Sequence, residues 1–598
     1  MDDKKVGWKQ FRSIKLNRKQ LLRRAKKIEG ATQRHAHRFV VRRIENIKMV
    51  SREVTIWLVL VGIIIGGIGL QLVWGQDGFT TRAAAKGGTY VEGVVGSIDT
   101  LNPLYISTNS EASVSRLVFS SLYNYDQRGS LHQDLATGMK IDKTHKVYTV
   151  TLRNNAQWHD KKPVTAKDVV FTLGLIKDPK VRSPLRVNWL DVAVKAVDTS
   201  TVQFTLPAAY AAFPHALTFP ILPEHILQKV APGALRENAF SQAPIGSGPF
   251  SFRLLQQPDS VSQHKVVHLT GNSNYYAGAP ILSRFEIHAY STSDAMTKAL
   301  KAGELSGASD VSPGALSALN SKRFSRITAA QDNGVYLLLN QTNPLLKEAA
   351  IRKALQVGTD TAAVRQDVGG DQLPLELPVL SWQIKGQDVP RAPAYDATRA
   401  QGILDEAGWK KTGNERVKDG KKLELTITTI KDPEYQKAAS VVAKQWRQLG
   451  IVVHEKVIDT SGAASTFVQD TLQARNFDVL LYELAIGADP DVYAYWHSSQ
   501  IGQTGYNFTS YTNKTADANL ASARSRLEPE LRNIKYKQFA KQWLEDVPAL
   551  GLYQPAVEYV VSDTAVALQE GSQLVTAADR YANVLYWSVN QGTVYKTP

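Results

Sequence analysis

Asp489-Pro490-Asp491 places two carboxylates within three residues, with Tyr495 and Trp496 close behind. At that spacing they could share acid–base work, hold a calcium ion or receive the amine of a ligand, and a capped turn fits the same residues. Trp158-His159-Asp160 follows a strand-like run; a histidine beside an aspartate in such a place reads as a hydrogen-bonded turn before it reads as a catalytic dyad. Gly246-Ser247-Gly248-Pro249-Phe250 sets a serine between glycines, but without the strand-to-helix elbow that exposes a nucleophile it reads as a tight turn entering a strand. The chain has no G-x-S-x-G, no Walker A loop and no H-E-x-x-H. His35 and His37 flank one alanine in a basic run with no supporting cluster, so no metal site is expected. There is no cysteine, hence no disulfide, no thiolate metal site and no cysteine-borne lipid anchor. The residue types favour binding over catalysis, with no catalytic residue and no cofactor expected.

The elements that must position any site begin with residues 54–74, which are uncharged and mostly large and apolar. A helix of that length reaches about 31 Å, matching a hydrocarbon core of about 30 Å. Residues 1–52 hold 17 Lys and Arg against 4 Asp and Glu, a net of +13; the whole chain carries +16, so the rest carries +3. Positive charge stays on the cytoplasmic side of an inserted helix. The expected layout is therefore a basic cytoplasmic head (1–53), one transmembrane helix (54–74), a small polar linker (75–88) and a large extracytoplasmic part. Retention of the helix as an anchor is preferred to cleavage at Ala83-Ala84-Ala85, because the leading region and the apolar run both exceed signal-peptide lengths. Gly62 and Gly66 form a G-x-x-x-G spacing that reads as ordinary glycine usage in a span. Apolar residues at helical spacing within the head, such as Phe11, Leu21, Leu22 and Ile44, suit an anionic membrane surface, which is preferred over nucleic acid as its partner.

Beyond residue 89 the chain has balanced charge, spread Gly and Pro, and too many residues for one core. Strands are expected at 147–152, 201–206, 335–340, 423–430, 451–458 and 477–482. A helix capped by Thr165 with Asp168 three residues on, and another at 436–448, make the class α/β.

Several stretches together resemble the family 5 extracellular solute-binding proteins, the peptide- and nickel-binding receptors of ABC importers. The fullest is YTVTLRNNAQWHDKKPVTAKDVVFTL at 148–173, which follows the family's strand, Leu-Arg, Trp-x-Asp-Gly-x-Pro turn and Thr-Ala-x-Asp-Val helix start, with Lys161 in place of the usual glycine. Segments at 87–105, 221–227, 246–250, 274–287, 298–304, 349–360, 397–409 and 487–496 follow in family order. The resemblance implies a type II periplasmic-binding-protein clamshell with an inserted extra domain. Lobe I would comprise 87–125, 240–334 and 549–598, the insert 126–239, and lobe II 335–548, with strands near 331–339 and 548–561 as the hinge.

A solute held between the lobes would favour the closed state. In peptide receptors of this kind an aspartate usually holds the ligand's amine just before the Asp-Pro-Asp segment; Ile486 or a neighbour, not an acid, stands there in this chain, so either Asp489 takes the role or no free amine is held. Asn109, Trp382, Asp489, Tyr495, Trp496, Tyr506 and Asn507 are the candidate ligand-binding residues. The implied function is capture of oligopeptides, or a similar small solute, and delivery to an ABC permease in the same membrane. Signalling from the clamshell through the helix to the basic head is the alternative, and a surface hydrolase built on Asp489, Asp491 and the 158–160 turn is a third.

Overall fold

The structure is a computed structural model that describes residue 23 and residues 51–257, 264–369, 371–460 and 466–595. Nearly all of the basic head therefore lies outside the described residues. Two units are described separately, one of residues 1–83 with 593–598 and one of residues 84–592.

In the first unit a helix runs Ser51–Phe79. Its Ser51–Gln71 stretch has a mean hydropathy of 2.2 and is long and apolar enough to cross a membrane. The expected linker is not irregular: the helix continues past residue 74 to Phe79, and Thr80–Ala85 is a strand. Once a helix is nucleated, each further residue adds a hydrogen bond at little cost, so a few polar residues do not end it.

The second unit is built on three main sheets. The largest has eight strands in the order Gln573–Leu574, Phe324–Gln331, Ala556–Ser562, Gly307–Ser309, Thr89–Val95, Arg284–Tyr290, Lys265–Gly271 and Phe250–Gln256. A six-stranded sheet runs Leu373–Pro374, Ala549–Gln554, Asn333–Leu339, Val479–Ala485, Glu424–Ile430 and Val452–Ile458. A four-stranded sheet runs Ala136–Ile141, Val147–Leu152, Thr201–Thr205 and Ala193–Ala196.

The run VYLLL in Asn333–Leu339 is apolar at every position because both faces of its strand are covered. Val335, Leu337 and Leu339 enter one core with Ile427 and Trp446, while Tyr336 and Leu338 enter another with Trp496 and Trp543. The four- and eight-stranded sheets share a third core, in which Tyr148 and Val150 join a cluster with Tyr90 and Phe285.

The chain passes between the eight- and six-stranded sheets at two single residues. Asp332 separates Phe324–Gln331 from Asn333–Leu339, and Pro555 separates Ala549–Gln554 from Ala556–Ser562. The two crossings are laced together: Gln331 N–H donates to Pro555 O at 2.9 Å, and Gln554 Nε2 donates to Gln331 O at 2.9 Å.

The long motif at 148–173 folds as its residue types require. Thr165 and Asp168 form the capping box of Ala166–Lys177. His159 lies in a hydrogen-bonded turn, its Nδ1 accepting from Gly246 N–H at 3.2 Å and its Nε2 lying 3.1 Å from Gly248 O. The glycines of that second motif are demanded by close approach, since a Cβ at 246 would lie 1.9 Å from Val118 O. Lys161 takes a left-handed backbone, φ +73°, where a side chain is costly. Replacing it with glycine, Lys161→Gly, is expected to raise the urea midpoint by an amount equivalent to about 1 kcal/mol or less, because glycine's own entropy cost offsets part of the relieved strain.

Candidate functional site

The crossings bring the segment after Val479–Ala485 against residues carried by the other two sheets, and Asp332 stands at the meeting point. Its N–H donates to Leu574 O at 2.8 Å, and its O accepts from Ile486 N–H at 3.1 Å and Gly487 N–H at 2.8 Å. One residue is thus tied to both sides. Its side chain is buried, with 0% of the residue exposed. Oδ1 accepts from Gln573 Nε2 at 2.9 Å, and the Trp382 side chain is a second donor toward the carboxyl. Gly129, at φ +70°, comes up beside Oδ2, and a Cβ there would lie 3.6 Å from it. Desolvation pushes the Asp332 carboxyl up to about 7, against hydrogen bonds from Gln573 and Trp382 that favour the charged form and with a smaller upward push from Asp579.

Asp489 is held differently. Arg532 grips both of its oxygens, Nη1 to Oδ2 at 2.7 Å and Nη2 to Oδ1 at 2.6 Å. Burial opposes the Arg532 charge, but these bonds outweigh it and raise its pKa. His215 approaches from the segment after the four-stranded sheet, its Nε2 lying 3.9 Å from Asp489 Oδ2 and its Nδ1 3.0 Å from the Tyr125 hydroxyl. Burial lowers the His215 pKa, and the Asp489 charge opposes that shift. Beside this pair, Arg524 lies 3.5 Å from Asp491 and 4.6 Å from the ring centres of both Tyr210 and Tyr493. Ala211 N–H donates to Arg524 O at 2.9 Å. Residues 210–215 therefore meet residues 489–532 through the approach of His215 to Asp489, a cation stacked between Tyr210 and Tyr493, and a backbone bond. Tyr125 also lines a cavity of about 140 Å³ with Arg116, Thr218 and Asp579.

The expected residues fall into three groups. Asp489, Trp382 and Tyr495 converge on residues 485–489: Gln383, next to Trp382, donates from Nε2 to Gly487 O at 2.7 Å, and the Tyr495 hydroxyl donates to Ala485 O at 2.8 Å. Tyr506 is exposed and meets Tyr495 edge-on with ring centres 6.5 Å apart. Trp496 and Asn507 form a second group that supports this segment from within. Trp496 is 1% exposed and packs edge-on to Tyr336 and Trp543. Asn507 is fully buried and spends its amide on His497 O, Tyr511 O and Tyr511 N–H. Asn109 stands apart as the exposed first residue of Asn109–Val118, and none of these contacts reaches it.

Sequence reasoning did not single out Asp332, Tyr125, His215, Arg524 or Arg532. Asp332 gave no signal, because it precedes Asn333-Gly334, a polar, turn-like pair that opens its strand. The arginines lie far from their acids in sequence and gave none.

Residues 130–505 match the family model described as bacterial extracellular solute-binding proteins, family 5 Middle. The oligopeptide-binding protein AppA of Bacillus subtilis (strain 168) is 30% identical over 482 residues, 79% of this chain and 87% of that protein. The structure of the oligopeptide-binding protein AppA from Bacillus subtilis in complex with a nonapeptide superposes with a TM-score of 0.67 at 26% identity, covering 84% of this chain and 99% of that one. NikZ from Campylobacter jejuni in complex with Ni(L-His) gives a TM-score of 0.67 at 27% identity over the same shares. The architecture and its neighbours define a two-lobed, mixed α/β solute-binding protein, a non-enzymatic class. The chain belongs to the family 5 bacterial extracellular solute-binding proteins.

The buried Asp332 carboxyl carries a stability signature. Its pKa, raised in the folded chain from 3.8 to about 7, means that the folded state binds more protons than the unfolded state between those values. Stability contributed by this group is therefore present below about pH 4 and lost as pH rises through 7. Over three units the loss is on the order of 4 kcal/mol. Asp332→Asn should melt at higher temperature than the wild type at pH 8, with the difference shrinking toward pH 4; thermal unfolding of both across that range is the check.

Proposed function

We propose that this chain is a membrane-tethered receptor that captures oligopeptides, or a similar small solute, between its two lobes and delivers them to an ABC import permease. The helix Ser51–Phe79 is read as its anchor, with the basic head on the cytoplasmic side against anionic lipid and the lobes outside. The observation that most supports capture is the meeting of residues 210–215 with residues 489–532 around Asp332, where the chain crosses between sheets at only two points. Polar groups converge there from both sides, and aromatic faces at Trp382 and Tyr506 remain exposed beside them. Such a cleft can pair with an extended ligand backbone while roomy, wet pockets accept varied side chains.

The names of the relatives point the same way: one is called oligopeptide-binding, and its solved counterpart holds a nonapeptide. Trp382, Tyr495 and Tyr506 are assigned to the ligand surface, Asp489 to the ion pair at its edge, and Trp496 and Asn507 to its support. A tether raises the effective concentration of receptor at a permease in the same membrane, which favours hand-over without tight receptor–permease affinity.

Full-length protein released in detergent is expected to retain small peptides in native mass spectrometry, and cells lacking the protein should take up labelled peptides more slowly. A nickel–amino-acid chelate, the cargo named in the NikZ complex, would appear in the same spectrum as a different added mass. An empty protein together with unchanged peptide uptake would contradict the reading.

A further inference from the structure

Helices packed around the six-stranded sheet enclose a cavity of about 370 Å³ whose polar lining is mostly of one sign. Lys353 reaches it from the helix Ala349–Val357, and Arg399 from Ala397–Glu406. Arg391 comes from the loop just before that second helix, and Lys541 from Pro529–Asp546. Glu545 is the one acid in the lining. None of the four cations makes an ion pair or a side-chain hydrogen bond among the described residues.

Exposed cations elsewhere in the same lobe do find acids. Lys422 lies 2.8 Å from Glu415, Lys431 2.8 Å from Asp459 and Arg447 3.0 Å from Glu455. The contrast is sharpest along one helix face, where residues four apart are neighbours. Lys537 pairs with Asp388, but one turn on Lys541 meets the cavity that Arg391 also lines. Arg399 is oddly placed for its helix as well. It is in the first turn, where the macrodipole disfavours positive charge and no acid is present to offset it.

The floor beneath these charges is apolar. Val357 is buried, and Ile403 and Leu544 are half-buried. A cavity of this size is within the range that small-molecule sites occupy, roughly 300–1,000 Å³. Like charges around a concave site repel one another and concentrate a counter-ion there. An anion of more than one charge, such as a phosphate, relieves that repulsion, and the planar forks of two arginines suit its oxygens. The apolar floor adds room for a carbon skeleton beside it. Lys541 stands nine residues past Arg532 on Pro529–Asp546, about 14 Å along the axis, so this cavity is separate from the Asp489 neighbourhood.

We propose that this cavity is a second binding site, one that takes a phosphate ester with an apolar substituent. Lys353, Arg391, Arg399 and Lys541 hold the phosphate, and Val357, Ile403 and Leu544 receive the substituent. A free phosphorylated solute and a phospholipid headgroup both present that chemistry.

The test uses the full-length protein in detergent, with phenyl phosphate as probe at fixed ionic strength. Calorimetry should show one-to-one binding, about tenfold or more tighter than inorganic phosphate. The double variant Arg391→Gln/Arg399→Gln should weaken it about tenfold or more. Both side chains are exposed, so the fold should survive, and an unchanged melting temperature verifies this. A control pair, Lys411→Gln/Lys421→Gln, alters exposed charges on the small three-stranded sheet of the same lobe and should leave affinity unchanged. Hydrogen exchange in nanodiscs then separates the two sources. Slowed exchange of residues 386–403 on adding phosphatidylglycerol to the bilayer identifies a lipid phosphate, and slowing only with phenyl phosphate identifies a free ester. No binding of phenyl phosphate, or equal weakening by both double variants, overturns the inference. Tighter binding of oligoglutamate than of phenyl phosphate also overturns it, in favour of an acidic protein partner. None of these outcomes touches the receptor reading, whose test is peptide retention.

Discussion

Everything in the large unit hangs on two single-residue crossings. Each of the two principal sheets is fixed within itself by continuous strand registers and buried cores, so neither can deform much. Relative motion between them has only Asp332 and Pro555 to act through. Proline lacks an N–H and has a fixed φ, so its crossing keeps no donor of its own. Gln331 and Gln554 lace the two connections together, which lets them bend as a pair. A bilobal shape follows from this constraint before any ligand is considered.

The same constraint decides where charge can sit. Residues at the crossing are buried from both sides, so a carboxylate there loses water without gaining a fixed cation. Farther out, Asp489 and Asp491 find arginines, and the segment at 210–215 adds His215 and Tyr210 against them. The arginine pairs stay within one side, His215 and Tyr210 come up to them from the other, and the inner acid has hydrogen bonds but no cation among the described residues.

Much of the architecture was legible in the sequence. Period-two runs such as VYTVTL and LELTITTI gave their strands within a residue, because one face of each is solvent-side or polar. Thr165 with Asp168 gave a helix start through a local hydrogen-bond pattern. Boundaries failed where the ending was tertiary. The helix expected at 436 starts at Pro433 because Asp432 caps it, and the strand expected at 477–482 runs Val479–Ala485, with Glu483 held by Asn333 and Tyr435 from neighbouring elements. Residue type singled out Asp489, but not that Arg532, 43 positions away, already grips it. Trp496 and Asn507 have the composition of ligand contacts and are structural, because burial belongs to the fold and not to the residue type. Asp332 could not be recognised as special, since its complete burial at a crossing between sheets is defined only by the fold.

Because the chain has no cysteine, spin labels can be placed cleanly at Lys195→Cys, in the four-stranded sheet, and Lys514→Cys, at the start of the helix Lys514–Ser525. Pulsed electron–electron distance measurement on the full-length protein, stripped of solute and then supplied with a peptide pool, reads the interlobe gap directly. A broad or two-peaked distribution that collapses to one shorter distance on addition of peptides is the predicted result. A single distance that no solute moves would contradict a receptor that works by closing.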